Sequence, residues 1–322
     1  MRKPFLDLTD GTLVPLPALK DMPASFHVID GDSVLAVNAA LGARRPLLLR
    51  GEPGTGKSQL ARAAAVGLRR AFVHFTVDGR TEAQDLLWSI DAVARLAEAQ
   101  VMGARRDISD DDVRRRIEVL EFLRPGVLWW AFSWDTALTQ ATRTRMAAPE
   151  APEGWTAADG VVVLIDEIDK ADASVPNGLL DAFGHGRFDV PGHGPVSMGA
   201  SAPLVVLTTN EERSLPDAFR RRCLVHYLSL PDGGAALHDI VIARGRAHFA
   251  ECALSVLRRA AEQLEKDRAP LRKQGLPAPG LAEYLDLVRA VTAQETNEQR
   301  QLALLDRIAK FALRKDAPEP GT

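Results

Sequence analysis

Short apolar runs recur along the first two thirds of the chain, at Leu47–Leu49, Phe72–Val77, Val161–Ile165, Leu204–Leu207 and Leu224–Leu230. Each is bounded by turn residues and separated from the next by helical periodicity, the pattern of strands buried on both faces of a parallel sheet. Ser33 to Leu41 carries a helical pattern, with Val34, Ala36, Val37, Ala40 and Leu41 on one side, and ends near Gly42. After Pro231 the character changes. Asp239–Lys266 and Leu281–Thr292 have helical spacing rich in Ala, Leu, Arg and Glu, and the stretch from Pro270 to Gly280 breaks it. Residues 1–30, with Pro4, Pro15, Pro17 and Pro23, read as an extended lead-in. The predicted organisation is therefore a lead-in over 1–30, an α/β core over 31–231, a small helical domain over 232–316 and a tail over 317–322.

One interval departs from this rhythm. More than 80 residues separate Val77 from Val161, far beyond what one helical crossover between parallel strands needs. Ala83–Gly103, Asp111–Leu123 and Val127–Met146 look helical, so residues of about 80–150 form an insertion, closed by a loop from Pro149 to Gly160. No internal repeat of 20–50 residues is present.

The length of 322 residues suits a large core plus a smaller domain, and 46% hydrophobic with 26% charged residues suits a folded protein throughout. The net charge of −3 and pI of about 6.2 remove the simplest case for nucleic-acid binding, a basic domain. Cys223 and Cys252 have neither metal-ligand spacing nor the number for a disulfide framework, which points to a reducing compartment. The stretch Met1-Arg2-Lys3-Pro4-Phe5 does not open a signal peptide. No window approaches the roughly 18 apolar residues of a membrane span. The expected location is the cytoplasm.

Candidate chemistry begins at Gly51-Glu52-Pro53-Gly54-Thr55-Gly56-Lys57-Ser58, which fits the phosphate-binding pattern G-x-x-x-x-G-K-[ST]. Glycines let backbone N–H groups turn toward phosphate oxygens, Lys57 reaches the terminal phosphates, and the Ser58 hydroxyl can hold Mg²⁺. The context fits, with a strand before it and, from Gln59 to Leu68, a helix that turns its positive end on the phosphates. The run Val161-Val162-Val163-Leu164-Ile165 ends in Asp166 and Glu167, where open α/β sheets bind ligands. Asp166 suits support of Mg²⁺, and Glu167 suits a general base for water attacking the γ-phosphate. Leu204–Leu207 runs into Thr208, Thr209 and Asn210. Asn210 either bonds the attacking water or the γ-phosphate, or caps a turn, where Asn is also favoured. Arg220, Arg221 and Arg222 precede the last strand, open to three readings: a role at the chain's own site, a solvated basic face, or arginine fingers projecting onto a neighbouring subunit's nucleotide.

Together these ordered motifs resemble the AAA+ superfamily, and within it the MoxR-like group, from about Phe26 to Val291. Ile168-Asp169-Lys170-Ala171 looks like the segment trailing the group's Walker B, and Asn177–Phe183 like the helix after it. Arg187–Val190 with Gly194–Val196 resembles the hairpin before the sensor-1 strand, and Asn210 matches sensor 1. The resemblance implies a P-loop NTPase core of three αβα layers, with a parallel sheet ordered 5-1-4-3-2 and a C-terminal helical lid. It implies ATP and Mg²⁺ as cofactors, hydrolysis at the subunit interfaces of a hexameric ring, and Arg222, with Arg221 as second candidate, as the finger. The insertion looks like this clade's helix-2 insert, which usually faces the pore or a partner. Pro279-Gly280-Leu281-Ala282-Glu283 lacks the arginine of sensor 2, and Arg272 and Lys273 are the nearby substitutes. No von Willebrand domain is fused here, and relatives often act with a separate protein carrying one.

The function expected is remodelling or maturation of a protein client. The alternatives are a nucleic-acid-linked motor, disfavoured by the acidity, and a non-hydrolysing switch, disfavoured by Glu167. Within the insertion, Trp130 and Trp134 lie four apart and are expected to pack inside it, while Leu128, Trp129 and Phe132 are expected on an exposed partner surface. The seven histidines are scattered without ligand geometry.

Overall fold

A computed structural model describes residues 5–105 and 109–313. The expected tail, 317–322, lies outside the described residues. The chain starts with an antiparallel hairpin, β1 (Leu13–Leu16) and β2 (Ser25–Val28), in which Leu13 faces Val28 and Leu16 faces Ser25. The proline-rich lead-in is thus a paired ribbon rather than a bare extended segment. Its prolines flank the strands or fall at Pro15 on an unshared ribbon edge, where a missing N–H is tolerated. Helix α1 (Gly31–Ala43) follows, and Asp30 caps it by accepting from Ser33 N at 2.8 Å and Ser33 Oγ at 2.7 Å. Next come β3 (Leu47–Arg50), α2 (Lys57–Leu68) and β4 (Ala71–Thr76).

The insertion then runs through α3 (Ala83–Leu87), β5 (Trp88–Ile90), α4 (Ala92–Gly103), α5 (Asp110–Arg116), β6 (Leu123–Pro125), α6 (Val127–Phe132) and α7 (Trp134–Arg143). It is not purely helical: β5 and β6 pair antiparallel, Trp88 opposite Pro125 and Ile90 opposite Leu123. After it come β7 (Val161–Asp166), α8 (Ser174–His185), the hairpin of β8 (Arg187–Val190) and β9 (Gly194–Ser197), β10 (Leu204–Thr209), α9 (Asp217–Arg220) and β11 (Leu224–Tyr227). The chain ends in α10 (Gly234–His248), α11 (Leu254–Lys273), α12 (Leu281–Gln294) and α13 (Glu298–Leu313). Helix α11 continues through Pro270 to Lys273, so the break is shorter than the sequence suggests. Pro270 stands near the helix end and deprives it of only one hydrogen bond.

Five strands form one parallel sheet in the order β11-β3-β10-β7-β4, which is the expected 5-1-4-3-2 when these strands alone are numbered along the chain. Val205 lies opposite Val163, and Phe75 opposite Ile165. Every apolar residue of β7 is buried, which is why it reads as an unbroken run rather than an alternation.

Two compact units make up the chain. Of the described residues, one comprises Phe5–Asp7, Val34–Leu49 and most of 64–226, and the other Leu8–Ser33, Arg50–Ala63 and Tyr227–Leu313. In the first, the sheet packs on the insertion and α8 through Val73, Val163, Ile165, Leu207, Trp129 and Leu179. In the second, α10 to α13 enclose Leu237, Leu257, Leu264, Tyr284, Val288 and Leu305. The hairpin joins this second unit through Val14 and Leu16 against Ala63 of α2. Arg62 of the same helix donates to the Pro17 and Pro23 carbonyls at 2.7 and 3.1 Å.

The expectation of an exposed aromatic surface on α6 is overturned. Leu128 and Trp129 are 0% exposed and Phe132 2%. Trp129 Nε1 donates to Thr136 Oγ1 at 2.9 Å, and Phe132 packs on Phe188 with ring centroids 5.6 Å apart. The helix expected over Val127–Met146 is in fact two, because α6 ends at Phe132 and breaks at Ser133 (φ −149°, ψ 86°). Trp130 and Trp134 therefore belong to different helices, and α6 is covered on all sides. A Cβ at Gly126 would fall 2.6 Å from the Leu86 carbonyl, so only glycine lets α6 approach α3 so closely. Trp130 and Trp134 do pack inside the insertion, 4.9 Å apart and tilted at 63°. Three exposed apolar side chains of the insertion, Val93, Leu96 and Val101, lie instead on α4, and Leu138 on α7 and Met146 after it are exposed as well.

Candidate functional site

The Gly51–Ser58 loop connects β3 to α2, the strand-to-helix context its spacing predicts. Gly51, Gly54 and Gly56 all have positive φ (139°, 74° and 97°), a region that side-chain-bearing residues seldom enter. A Cβ at Gly51 would also collide with the Leu228 carbonyl oxygen. Lys57 is buried, and its Nζ donates to the carbonyls of Gly51 at 2.7 Å and Glu52 at 2.9 Å. The ammonium is thereby held inside the turn of the loop, where the pattern requires it. Thr55 Oγ1 closes the turn on the Glu52 carbonyl at 3.0 Å. Pro53 is exposed, while Ser58 and Gln59 are half-buried in the first turn of α2. These features fit a polyphosphate with its divalent cation.

Glu52 anchors the loop to the C-terminal helices. Arg268, fully buried in α11, donates from Nη2 to Glu52 Oε2 at 3.0 Å and from Nη1 to the Pro279 carbonyl at 2.9 Å. Arg272 pairs with Glu52 Oε1 and, through Nε, with Asp232 at 3.0 Å. Lys273 is exposed at the end of α11. Sequence reasoning singled out Arg272 and passed over Arg268. An arginine at a buried helical position was the signal available, since such a charge needs a partner.

On the other unit, β7 ends at Asp166 and Glu167. Glu167 takes a left-handed conformation (φ 59°, ψ 45°), unusual for a residue with a side chain. Thr208, fully buried at the end of the neighbouring β10, holds this turn. Its Oγ1 donates to Asp166 Oδ1 and accepts from Glu167 N, the latter at 2.9 Å. Asn210 Nδ2 lies 3.4 Å from Glu167 Oε1, so the expected base and the expected sensor meet. Lys170 Nζ pairs with Glu167 Oε2 at 2.6 Å, and that hydrogen bond is the main cause raising the Lys170 pKa. Thr208 was noted in the sequence only as polar, yet it binds both carboxylate residues.

Arg220, Arg221 and Arg222 are exposed at the end of α9. Arg220 pairs with Asp217 one turn back. Arg45, at the foot of β3, donates Nε to the Arg222 carbonyl at 2.9 Å and Nη2 to the Arg221 carbonyl. It fixes the main chain of these two residues while leaving their guanidinium groups exposed. Among the described residues no helix is long and apolar enough to cross a membrane.

The family model for the AAA domain, dynein-related subfamily, matches residues 46–223, more than half of the 322 residues. That span runs from the start of β3 through the three arginines. Among solved structures, the chain is similar to one described as a "putative ATPase from Cytophaga hutchinsonii ATCC 33406", at 13% identity, with 88% of this chain and 80% of that one covered and a TM-score of 0.37. No curated protein matches the chain.

Proposed function

We infer that this chain, which belongs to the AAA family in its dynein-related subfamily, hydrolyses ATP as a MoxR-like ring ATPase that remodels or matures a protein client. One observation carries the hydrolytic part: Glu167, held left-handed by Thr208, stands with Asn210 at the end of a buried strand. Strained residues of this kind concentrate at functional sites. The P-loop and this carboxylate pair follow the carboxyl ends of strands of one sheet, with only β10 between β3 and β7.

In this reading Lys57 and the backbone N–H groups of Gly54 to Ser58 bind the β- and γ-phosphates, while Ser58 and Asp166 hold Mg²⁺. The ion withdraws charge from the phosphate oxygens when bound. Glu167 takes the proton of the attacking water, and Asn210 orients that water. Arg222, with Arg221 as the second candidate, acts on the nucleotide of the next subunit, which gives a ring its reason. The client is a protein, or reaches the ring through a separate von Willebrand-domain partner, and the acidic balance favours this over nucleic acid.

The decisive experiment compares ATP binding and steady-state hydrolysis in wild type, Lys57→Ala and Glu167→Gln. Lys57→Ala should lose most ATP affinity. Glu167→Gln should bind ATP and turn over roughly 10²-fold more slowly or worse. Hydrolysis by Glu167→Gln at the wild-type rate would remove the assigned base and with it the proposed mechanism.

A further inference from the structure

The Glu167 carboxylate is approached from two sides, and unequally. Its Oε1 lies 3.4 Å from Asn210 Nδ2, near the outer limit of a hydrogen bond, while its Oε2 is held by Lys170 Nζ at 2.6 Å. One oxygen is tied, and the other is left loosely held beside the expected sensor. Thr208 fixes the backbone of Glu167 through its N–H, but a backbone contact leaves the side chain free among its rotamers. The short contact to Lys170 decides where the carboxylate points.

Lys170 is itself placed by a built turn. Ile168–Lys170 form one tight helical turn in which Lys170 N donates to the Glu167 carbonyl at 2.9 Å. Two bonds staple this turn to the segment after β10. Buried Asp169 accepts from Glu212 N through Oδ2 at 3.0 Å, and Arg213 Nη1 donates to the Lys170 carbonyl at 3.4 Å. The ammonium is thereby referred to the same strand end that supplies Thr208 and Asn210. After Glu167 itself, the charges of Glu212 and Asp169 also favour the protonated form of Lys170.

An ion pair this open to solvent, with the lysine side chain 40% exposed and the glutamate 29%, adds little to stability. What it supplies is aim. A general base works only when its free oxygen reaches the proton it removes, and a small misplacement of a reacting group is costly in rate.

We propose that Lys170 is a positioning residue for hydrolysis, its ammonium tying Oε2 of Glu167 so that Oε1 faces Asn210 and the attacking water. The proposal rests on the reading that Glu167 is the base for ATP hydrolysis. In the step it serves, water gives a proton to Oε1 as its oxygen bonds the γ-phosphorus and the bond to ADP breaks. Lys170 keeps its own protons throughout.

The test measures ATP turnover, ATP Kd and a melting curve for wild type, Lys170→Met, Lys170→Gln, Lys170→Arg, Glu167→Gln and the double variant Glu167→Gln with Lys170→Met. Wild-type turnover by Glu167→Gln defeats the reading of Glu167 as the base. With that reading standing, Lys170→Met should turn over about 10-fold more slowly with Kd and melting temperature unchanged. Lys170→Gln also removes the charge, and it carries the same expectation should the methionine variant fail to fold. Lys170→Arg restores a cation and should recover most of the turnover. In the double variant, loss of Lys170 should add almost nothing to the loss of Glu167. Wild-type or faster turnover in a folded neutral variant overturns the proposal, a rise showing that the ammonium restrains the base instead of aiming it. Turnover of Lys170→Arg no better than that of Lys170→Met overturns it too. So does a matched loss of ATP affinity, or an undiminished further loss in the double variant, because Lys170 then acts other than through the Glu167 carboxylate.

Discussion

At Glu167 the chain accepts a left-handed backbone that costs of order 1 kcal/mol or more, and the cost is offset by one hydroxyl. Thr208 Oγ1 serves both the Glu167 N–H and the Asp166 carboxylate. Thr208→Val preserves shape and β-branching while leaving both groups without that partner. It should lower stability by about 1–3 kcal/mol and reduce turnover by more than it weakens ATP binding. Denaturant melts together with kcat and ATP Kd would check this. Wild-type kcat in a correctly folded Thr208→Val protein would show that the hydroxyl only supports the strand end. Arg45 acts similarly on the main chain of Arg221 and Arg222. Arg45→Ala should leave ATP affinity intact and lower turnover, because the exposed guanidinium groups lose their fixed origin. Equal turnover in Arg45→Ala would show that the finger segment is held by its own α9 turn.

At the scale of elements, what was legible in the sequence depended on how local the signal is. The P-loop is eight contiguous residues, and β7 and β10 are buried on both faces, so both declare themselves as strings. The contacts of Thr208, Arg45 and Arg268 join residues far apart in sequence, and no spacing rule reports them. The insertion defeated periodicity for a different reason. Strands of three residues, β5 and β6, are too short to alternate visibly, and a six-residue α6 completes less than two turns. Burial of α6 gives a clear expectation: Trp129→Ala removes a fully buried ring and its bond to Thr136, and should cost about 3–5 kcal/mol. Leu96→Asp on exposed α4 should leave the melting temperature within the scatter of surface substitutions, about 0.5 kcal/mol. If Leu96→Asp destabilises as much as Trp129→Ala, α4 is covered in the working protein, and self-association measured by sedimentation would then separate a second copy from a foreign partner.

At the scale of the whole molecule, one chain offers a phosphate-binding loop and, on α9, arginines whose guanidinium groups face solvent. Arg220 pairs with Asp217, so of these three arginines Arg222, with Arg221 as second candidate, is the one proposed to act on a neighbouring subunit. A head-to-tail contact repeated around a closed ring would set these arginines on the next subunit's nucleotide, and an arginine supplied in trans contributes roughly 10³-fold or more to turnover. Arg222→Ala should therefore keep ATP binding and lose hydrolysis. Mixing it with Lys57→Ala, itself inactive, creates some interfaces that pair the intact P-loop of the first with the intact Arg222 of the second. ATPase activity should then rise from near zero to a maximum at intermediate mixing ratios, where such interfaces are most numerous. The measurement needs conditions in which labelled subunits demonstrably exchange. A flat response across ratios under exchange would confine each active site to one chain, and the exposed arginines would then belong to the solvated surface.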